Sequence, residues 1–210
     1  MQLYISLMNL IYVVMITKED KMIEKIAIKN IRFFNEKKEK YTEYKIIEKA
    51  IGGCDESFEE AINTYKEYLY KTAFLYTKNE HDALDIYQET VYKAYINISK
   101  LRNPNFFKTW ITKILINNVN IKNRYYSKFQ DAQVEDYIED ISYSNLEESI
   151  DLYDAIDSLD EKYKTPIILQ YFQDLTILQI AEVMECNENT IKSYIRRGKK
   201  KLYDILKEIK

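Results

Sequence analysis

The side chains best placed to do chemistry in this 210-residue chain are cations that bind, rather than groups that react. From Asn189 to Lys201 the charged residues are Lys192, Arg196, Arg197, Lys199, Lys200 and Lys201, with no acid among them. Lys192, Arg196 and Lys199 are spaced i, i+4, i+7, so a helix would carry them on one face. From Thr90 to Gln130 the charges are Lys93, Lys100, Arg102, Lys108, Lys113, Lys122, Arg124 and Lys128, again without an acid. Between these blocks, Asp131 to Glu161 holds twelve Asp or Glu and no Lys or Arg. The net charge is only −3, so the chain has sorted its charges. Two basic surfaces on an otherwise acidic chain suit two contacts with one polyanion, and nucleic acid is the candidate.

Reactive constellations are missing. His81 is the one histidine and has no partner pattern for nucleophilic or metal chemistry. Gly52, Gly53 and Gly198 fit no phosphate-loop fingerprint. Cys54 and Cys186 lie far apart in no metal-type spacing and read as two reduced thiols of a cytoplasmic protein. The acids after Asp131 read as a solvated tether rather than an acid–base pair. No catalytic residue, cofactor, metal or small-molecule substrate is expected.

The elements that must position the cations are helices. Three glycines and two prolines in 210 residues leave few breakers, and 46% hydrophobic residues support real cores. Phe58, Ile62, Tyr65, Leu69 and Tyr76 fall close to one helical stripe. Asn79 with Asp82 marks a fresh start, and a helix near Asp82 to Ile98 turns Ile86, Thr90, Val91 and Ala94 inward. Asn103-Pro104-Asn105 is a turn. Phe106 to about Arg124 reads as a long helix with Phe107, Trp110, Ile111, Ile114, Leu115 and Val119 on its apolar side. Helix signals return at Leu146, with Leu152, Ile156 and Leu159 on one face, and Pro166 should start or kink a helix. The first residues differ in kind. Leu3 to Ile16 is apolar apart from Ser6 and Asn9, shorter than the roughly twenty residues of a membrane span, and lacks signal-peptide flanks. It reads as a packed helix or as sequence upstream of a true start at Met22.

The last forty residues are the most specific. Leu175 to Met184 reads as a short helix with Thr176 as N-cap, and Ala181 is small where a second helix must cross. Glu185-Cys186-Asn187 is a tight turn, and Asn187 can cap the next helix. There Ile191, Ile195 and Leu202 point inward while the cations face out. This is a helix-turn-helix plan, in which the second helix enters the major groove.

Asp174-Leu175-Thr176 through Ile180-Ala181 to Asn187-Glu188-Asn189-Thr190-Ile191-Lys192-Ser193 and Arg196-Arg197-Gly198-Lys199-Lys200-Lys201-Leu202 resembles region 4 of bacterial sigma factors, closest to the extracytoplasmic-function class. That family usually has Gly where this chain has Glu185, which must then take a left-handed conformation or reshape the turn. Upstream, Asp82 to Val91 resembles the region 2 segment that grips the clamp helices of RNA polymerase. Asp82, Asp85 and Glu89, at i, i+3, i+7, form an acidic stripe. Phe106 to Ile114 with Asn117-Asn118 resembles the helix that engages the melted −10 element. There Thr109, Lys113, Asn117, Asn120 and Arg124 fall near one polar face, while Ile116 stands where the family often has a basic residue.

The resemblance covers roughly Ser57 to Lys207 and implies an all-α protein of two small helical domains joined by a flexible acidic linker. Its divisions would be 1–45, an N-terminal extension; 46–128, region 2; 129–148, the linker; and 149–210, region 4. It implies core-polymerase contacts from Asp82, Asp85, Gln88 and Glu89. Contacts to −10 DNA would come from Lys100, Arg102, Asn103, Lys108, Thr109, Trp110, Lys113, Asn117 and Arg124. The loop Ser99 to Asn105 would capture an unstacked base, with Trp110, Phe106 and Phe107 as candidate stackers. Contacts to −35 DNA would come from Asn187, Asn189, Thr190, Lys192, Ser193, Arg196, Arg197, Lys199 and Lys200. The implied partners are core RNA polymerase, promoter DNA and an anti-sigma factor, free or membrane-bound. Competing readings are a helix-turn-helix regulator that is no polymerase subunit, a polymerase-binding adaptor that never melts DNA, and, more remotely, an enzyme acting on nucleic acid. The upstream acidic stripe and aromatic helix weigh against the first.

Overall fold

A computed structural model describes residues 38–129 and 147–209, and every regular element among them is helical. The apolar segment from Leu3 to Ile16 and most of the expected linker lie outside the described residues. Helix α1 spans 38–51, α2 Asp55–Thr77, α3 Glu80–Asn97 and α4 Phe107–Phe129. Two 3-10 turns, Ile98–Lys100 and Pro104–Phe106, join α3 to α4. The C-terminal unit comprises α5 Glu147–Asp157, α6 Glu161–Tyr171, α7 Ile177–Met184 and α8 Glu188–Ile209.

The first four helices form a bundle. Lys78 ends α2 in the left-handed region at φ 49°, and the Asn79 side chain then accepts the Asp82 N–H at 3.0 Å to start α3. The expected break at Asn79 is therefore a real cap. The predicted stripes face the core: Phe58, Ile62, Leu69 and Tyr76 of α2, Ile86, Thr90 and Ala94 of α3, and Phe107, Ile111, Leu115 and Val119 of α4 are buried. Helix α1 adds Ile47 and Ala50 to that core, so it belongs to the bundle and runs through the boundary expected at residue 45.

Helix α3 and helix α4 are locked by buried polar groups. The Asn118 amide donates to Thr90 Oγ1 at 3.0 Å, and its carbonyl accepts Lys93 Nζ at 2.6 Å. Thr90 in turn donates to the Ile86 carbonyl at 2.6 Å.

In the C-terminal unit Pro166, expected to start or kink a helix, does not start one: it sits within α6, whose residues Tyr163, Ile167 and Ile168 are in the core, and its lack of an N–H removes one helical bond. Helix α8 lies close against α6 at Gly198. A Cβ there would stand 2.5 Å from Ile167 Cδ1 and 3.3 Å from Tyr163 Cβ. The glycine is thus required by close approach, and the isoleucine tip can yield more readily than the tyrosine Cβ. Substituting Gly198→Val should cost about 1–3 kcal/mol of stability, the usual range for overpacking, and Gly198→Ala distinctly less. Urea denaturation of the two variants would measure the difference.

Candidate nucleic-acid interface

Helix α7 opens with a capping box. Thr176 Oγ1 accepts the Gln179 N–H at 3.3 Å, and Gln179 Oε1 accepts the Thr176 N–H at 2.9 Å. Helix α7 closes on Glu185, left-handed at φ 53°, ψ 39°, as the departure from glycine requires. For a residue with a Cβ this conformation costs on the order of 1 kcal/mol. Asn187 Oδ1 then accepts the Thr190 N–H at 2.8 Å and starts α8. Ile180, Ala181, Val183, Ile191 and Ile195 bury the inner faces of the two helices. The turn therefore sets the recognition helix by backbone geometry, and the outer face of α8 carries no packing duty. Asn187, Asn189, Lys192, Arg196, Arg197, Lys199 and Lys200 are exposed there, with Thr190 and Ser193 half-buried beside them. Lys192 lies 3.8 Å from Glu188, a loose exposed pair, and Lys199 lies over the Tyr171 ring.

The second interface lies on α4 and the loop before it. Lys100, Trp110 and Asn117 meet around a cleft of about 350 Å³ that Lys93, Asn97, Asn118, Ile114 and Ile121 also line. Asn118 belongs to the motif quoted above with no role given there; its partners Thr90 and Lys93 lie on another helix, which no local spacing reveals, whereas Asn97 bonds within α3 to the Lys93 carbonyl. Arg102, Arg124 and Asn117 are exposed, and Asn103 caps the second 3-10 turn by accepting the Asn105 N–H.

Several expected contacts are placed differently. Phe107 is fully buried and cannot stack on a base, whereas Phe106 is 47% exposed and Trp110 is half-buried, leaving those two as stackers. Thr109 is not on an open polar face: it is buried, and its hydroxyl has no hydrogen-bond partner. Ile116 is core. Lys108 and Lys113 are engaged by the C-terminal unit. Lys108 Nζ donates to the Gln173 carbonyl at 3.0 Å and lies 4.8 Å from the centre of the Tyr68 ring, and Lys113 Nζ is 2.6 Å from Glu185. Burial pushes the Lys108 ammonium below its ordinary pKa against the opposing charges of Asp174 and Glu43. The two units, expected to hang apart on a tether, are in contact here.

The acidic stripe on α3 divides in the same way. Asp85, Gln88 and Glu89 are exposed, with Glu89 paired to Lys93 one turn on and Asp85 reached by Lys122 at 3.3 Å while keeping 71% of its side-chain surface. Asp82 instead turns toward α4, where Lys122 Nζ approaches within 2.6 Å and the Tyr126 hydroxyl donates at 3.0 Å. Asp82 and Lys122 keep 23% and 19% of their side-chain surface. Burial alone would lower the Lys122 ammonium, but the hydrogen bond and charge of Asp82 outweigh it and hold its pKa above the ordinary lysine value. The pair's stabilisation is complete below that ordinary value and is lost only as pH climbs through the raised one, so it is intact at neutral pH.

A helix-turn-helix with a free cationic face, behind a bundle offering an aromatic–cationic cleft, defines a helical DNA-binding protein built for two DNA contacts. Comparison with known proteins sharpens that class. Sigma-70 region 2 matches residues 61–140, and Sigma-70 region 4 matches residues 149–202. The RNA polymerase sigma factor SigV of Bacillus subtilis is 38% identical over 141 residues, which is 66% of this chain and 84% of that protein. The ECF RNA polymerase sigma factor SigW of the same organism is 27% identical over 173 residues, 75% of this chain and 92% of SigW. Among solved structures, the sigma factor RpoE of Bartonella quintana, in complex with the anti-sigma factor NepR, has the same fold. Its TM-score is 0.61 at 24% identity, over 71% of this chain and 96% of that one. The chain belongs to the sigma-70 family of sigma factors, in its extracytoplasmic-function class. It is an alternative sigma factor that directs transcription initiation.

The geometry separates structural from exposed acids. Asp82→Asn should lower bundle stability by about 1–2 kcal/mol, since it uncouples a half-buried pair. Asp85→Asn and Glu89→Gln should each stay within about 0.5 kcal/mol, as surface changes do. Thermal unfolding of the three variants would check this.

Proposed function

We propose a residue-level division of labour for this sigma factor. Residues 46–128 together with the start of α1 act as region 2, residues 149–210 as region 4, and residues 129–148 link them. Asp85, Gln88 and Glu89 meet the clamp helices of the largest subunit of core RNA polymerase, with Asp82 holding α3 against α4 behind them. Lys100, Arg102, Asn103, Trp110, Asn117 and Arg124 take the melted −10 strand, joined by Lys108, Thr109 and Lys113 once those are released. Phe106 and Trp110 supply the stacking surface, and the cleft beside Trp110 is the space for an unstacked base. Asn187, Asn189, Thr190, Lys192, Ser193, Arg196, Arg197, Lys199 and Lys200 meet −35 duplex, more through phosphates than through base edges. The protein works in the cytoplasm, and an anti-sigma factor holds it inactive. That partner is proposed by likeness, since the Bartonella protein of the same fold is solved with one.

The observation that carries this reading is the pairing, in one chain, of an exposed acidic α3 face with the exposed cationic face of α8. A helix-turn-helix regulator needs the second without the first. Run-off transcription with purified core polymerase and a pool of promoter fragments tests it. Specific transcripts are expected only when the protein is added, and their absence across the pool would overturn the reading. Within it, Arg196→Ala should weaken −35 duplex binding and reduce the slope of log K against log salt by about 0.9, the value for one phosphate contact. An unchanged slope would remove Arg196 from the phosphate contacts.

A further inference from the structure

Helices α1 and α2 leave between them a groove of about 590 Å³ that no described residue fills. One wall is Thr42, Glu43 and Ile46 of α1, and the other is Ala61, Thr64 and Tyr65 of α2. Ala61 is buried at the floor and Ile46 is half-buried, while Thr42 and Thr64 stand exposed at the rims. The two walls are joined where the Tyr65 hydroxyl donates to Glu43. The Tyr65 ring also lies 5.3 Å from the Phe107 ring, at the head of α4. Glu39, on the same side of the groove as Glu43, has no partner among the described residues. A trough between two packed helices is shaped to receive the ridge of a third.

The chain itself holds a segment that fits. Residues 1–37 lie outside the described residues, and α1 starts at Lys38, on the rim of the groove. Just upstream, Ile23, Ile26, Ala27, Ile31, Phe33 and Phe34 fall within one arc of about 160° at the helical period, and Lys25, Lys29 and Arg32 fall opposite. Ile28 is the one apolar residue of Ile23–Phe34 outside the arc. A helix of about twelve residues is marginal alone in water, so such a stripe needs a surface to form on. The lengths agree: the segment spans about 17 Å as a helix, against about 14 Å from Lys38 to Ile47 along α1. Asn35-Glu36-Lys37 lies between, within the roughly two to five residues that join antiparallel helices. The cations of the segment complement Glu39 and Glu43 on the α1 wall. We propose that Ile23–Phe34 folds back on α1 as a further helix of region 2 and fills the groove with its apolar arc. So short a tether gives it an effective concentration on the order of millimolar, which a second copy in dilute solution does not reach. The docked helix braces Tyr65 and, through the Tyr65–Phe107 contact, the first turn of α4.

Amide hydrogen exchange of the full chain, read by mass spectrometry, tests this. Ile31→Asp places a charge in the arc and should speed exchange of residues 38–47 by about tenfold or more, while α3 keeps its protection. Ile28→Asp, the same change outside the arc, should leave both unchanged. Thr64→Arg acts from the groove side. Thr64 is exposed, so the bundle tolerates a long side chain there, and that side chain obstructs docking. It should speed exchange of residues 38–47 as Ile31→Asp does, and the double variant should exchange no faster than the faster of the two. Equal exchange in the wild type, Ile31→Asp and Thr64→Arg would overturn the proposal. Fully additive effects in the double variant would overturn it too, because the two positions would then act apart. An Ile28→Asp effect as large as that of Ile31→Asp would remove the arc from the groove. Protection of residues 38–47 that rises with protein concentration, alongside a dimer in sedimentation, would give the groove to a second copy instead.

Discussion

The amide of Asn118 is the constraint on which region 2 depends. It is buried between α3 and α4, and both its ends are used, by Thr90 and by Lys93. A slip of one residue would swing it about 100° around the helix and strand a buried amide, at roughly 1–3 kcal/mol for each unpaired group. The register it sets runs the full length of the junction. Moving from Thr90 back to Asp82 on α3 and from Asn118 forward to Lys122 and Tyr126 on α4, the next pairs fall into place as the Asp82 cluster. Asp85, Gln88 and Glu89 are then turned outward, and the Trp110 cleft opens on the other side of the same junction. One polar contact thus orients both the exposed acidic face of α3 and the cleft beside Trp110.

Region 4 solves a different problem with backbone chemistry. Six cations on one helix repel each other, and only Lys201, bonded to Asp160 and lying over the Tyr163 ring, ties back to α6 strongly, so the helix is held mainly from its apolar face and its start. The capping box of α7, the left-handed Glu185 and the Asn187 cap satisfy the amides around the turn. Gly198 lets α8 approach α6 closely enough for Ile191 and Ile195 to be buried. The hold on α8 thus comes from its inner face and from backbone chemistry at its start, and Arg196, Arg197 and Lys200 stay exposed.

The helices and their caps were legible because their causes are local. Asn79, Thr176 and Asn187 stand where a side-chain oxygen can reach an amide two or three residues on, and the apolar stripes have the period of the element they form. The misplacements share one physical origin. The spacing puts Phe107 on the apolar side of α4, as found, but the packing of α2 against α4 buries it so fully that it is no stacking surface, which leaves Phe106 exposed beside it. Asp82, Asp85 and Glu89 share a face by spacing, yet Lys122, forty residues from Asp82, holds that carboxylate half-buried at 2.6 Å and reaches the exposed Asp85 at 3.3 Å. Ile47 and Ala50, just inside the expected start of region 2, are buried against other helices, and nothing in the local composition of α1 announces that. Pairings between distant helices were not visible in spacing, and they are what sorts a candidate residue into site or scaffold.

The contact between the units has an apolar centre, since one cluster of buried side chains runs from Ile111 and Leu115 into Ile168, Leu169, Leu175 and Ile180. Around its edge are charge pairs and single hydrogen bonds: Lys78 with Asp154 at 3.0 Å, Asn123 with Glu161 at 3.3 Å, and Lys113 with Glu185. Nearer its centre the Lys164 ammonium lies 5.6 Å from the middle of the Tyr76 ring and is neutralised by Asp157 from its own unit at 2.5 Å. That arrangement matters when the units part. Lys164 keeps its carboxylate, and the cations of α4 that lose protein partners are the ones facing outward toward any polyanion. Exposed pairs contribute little individually, whereas each phosphate neutralised also releases a condensed counterion. Helix α4 thus spends Lys113 on a contact that salt screens readily, while the apolar cluster beneath it carries the joint.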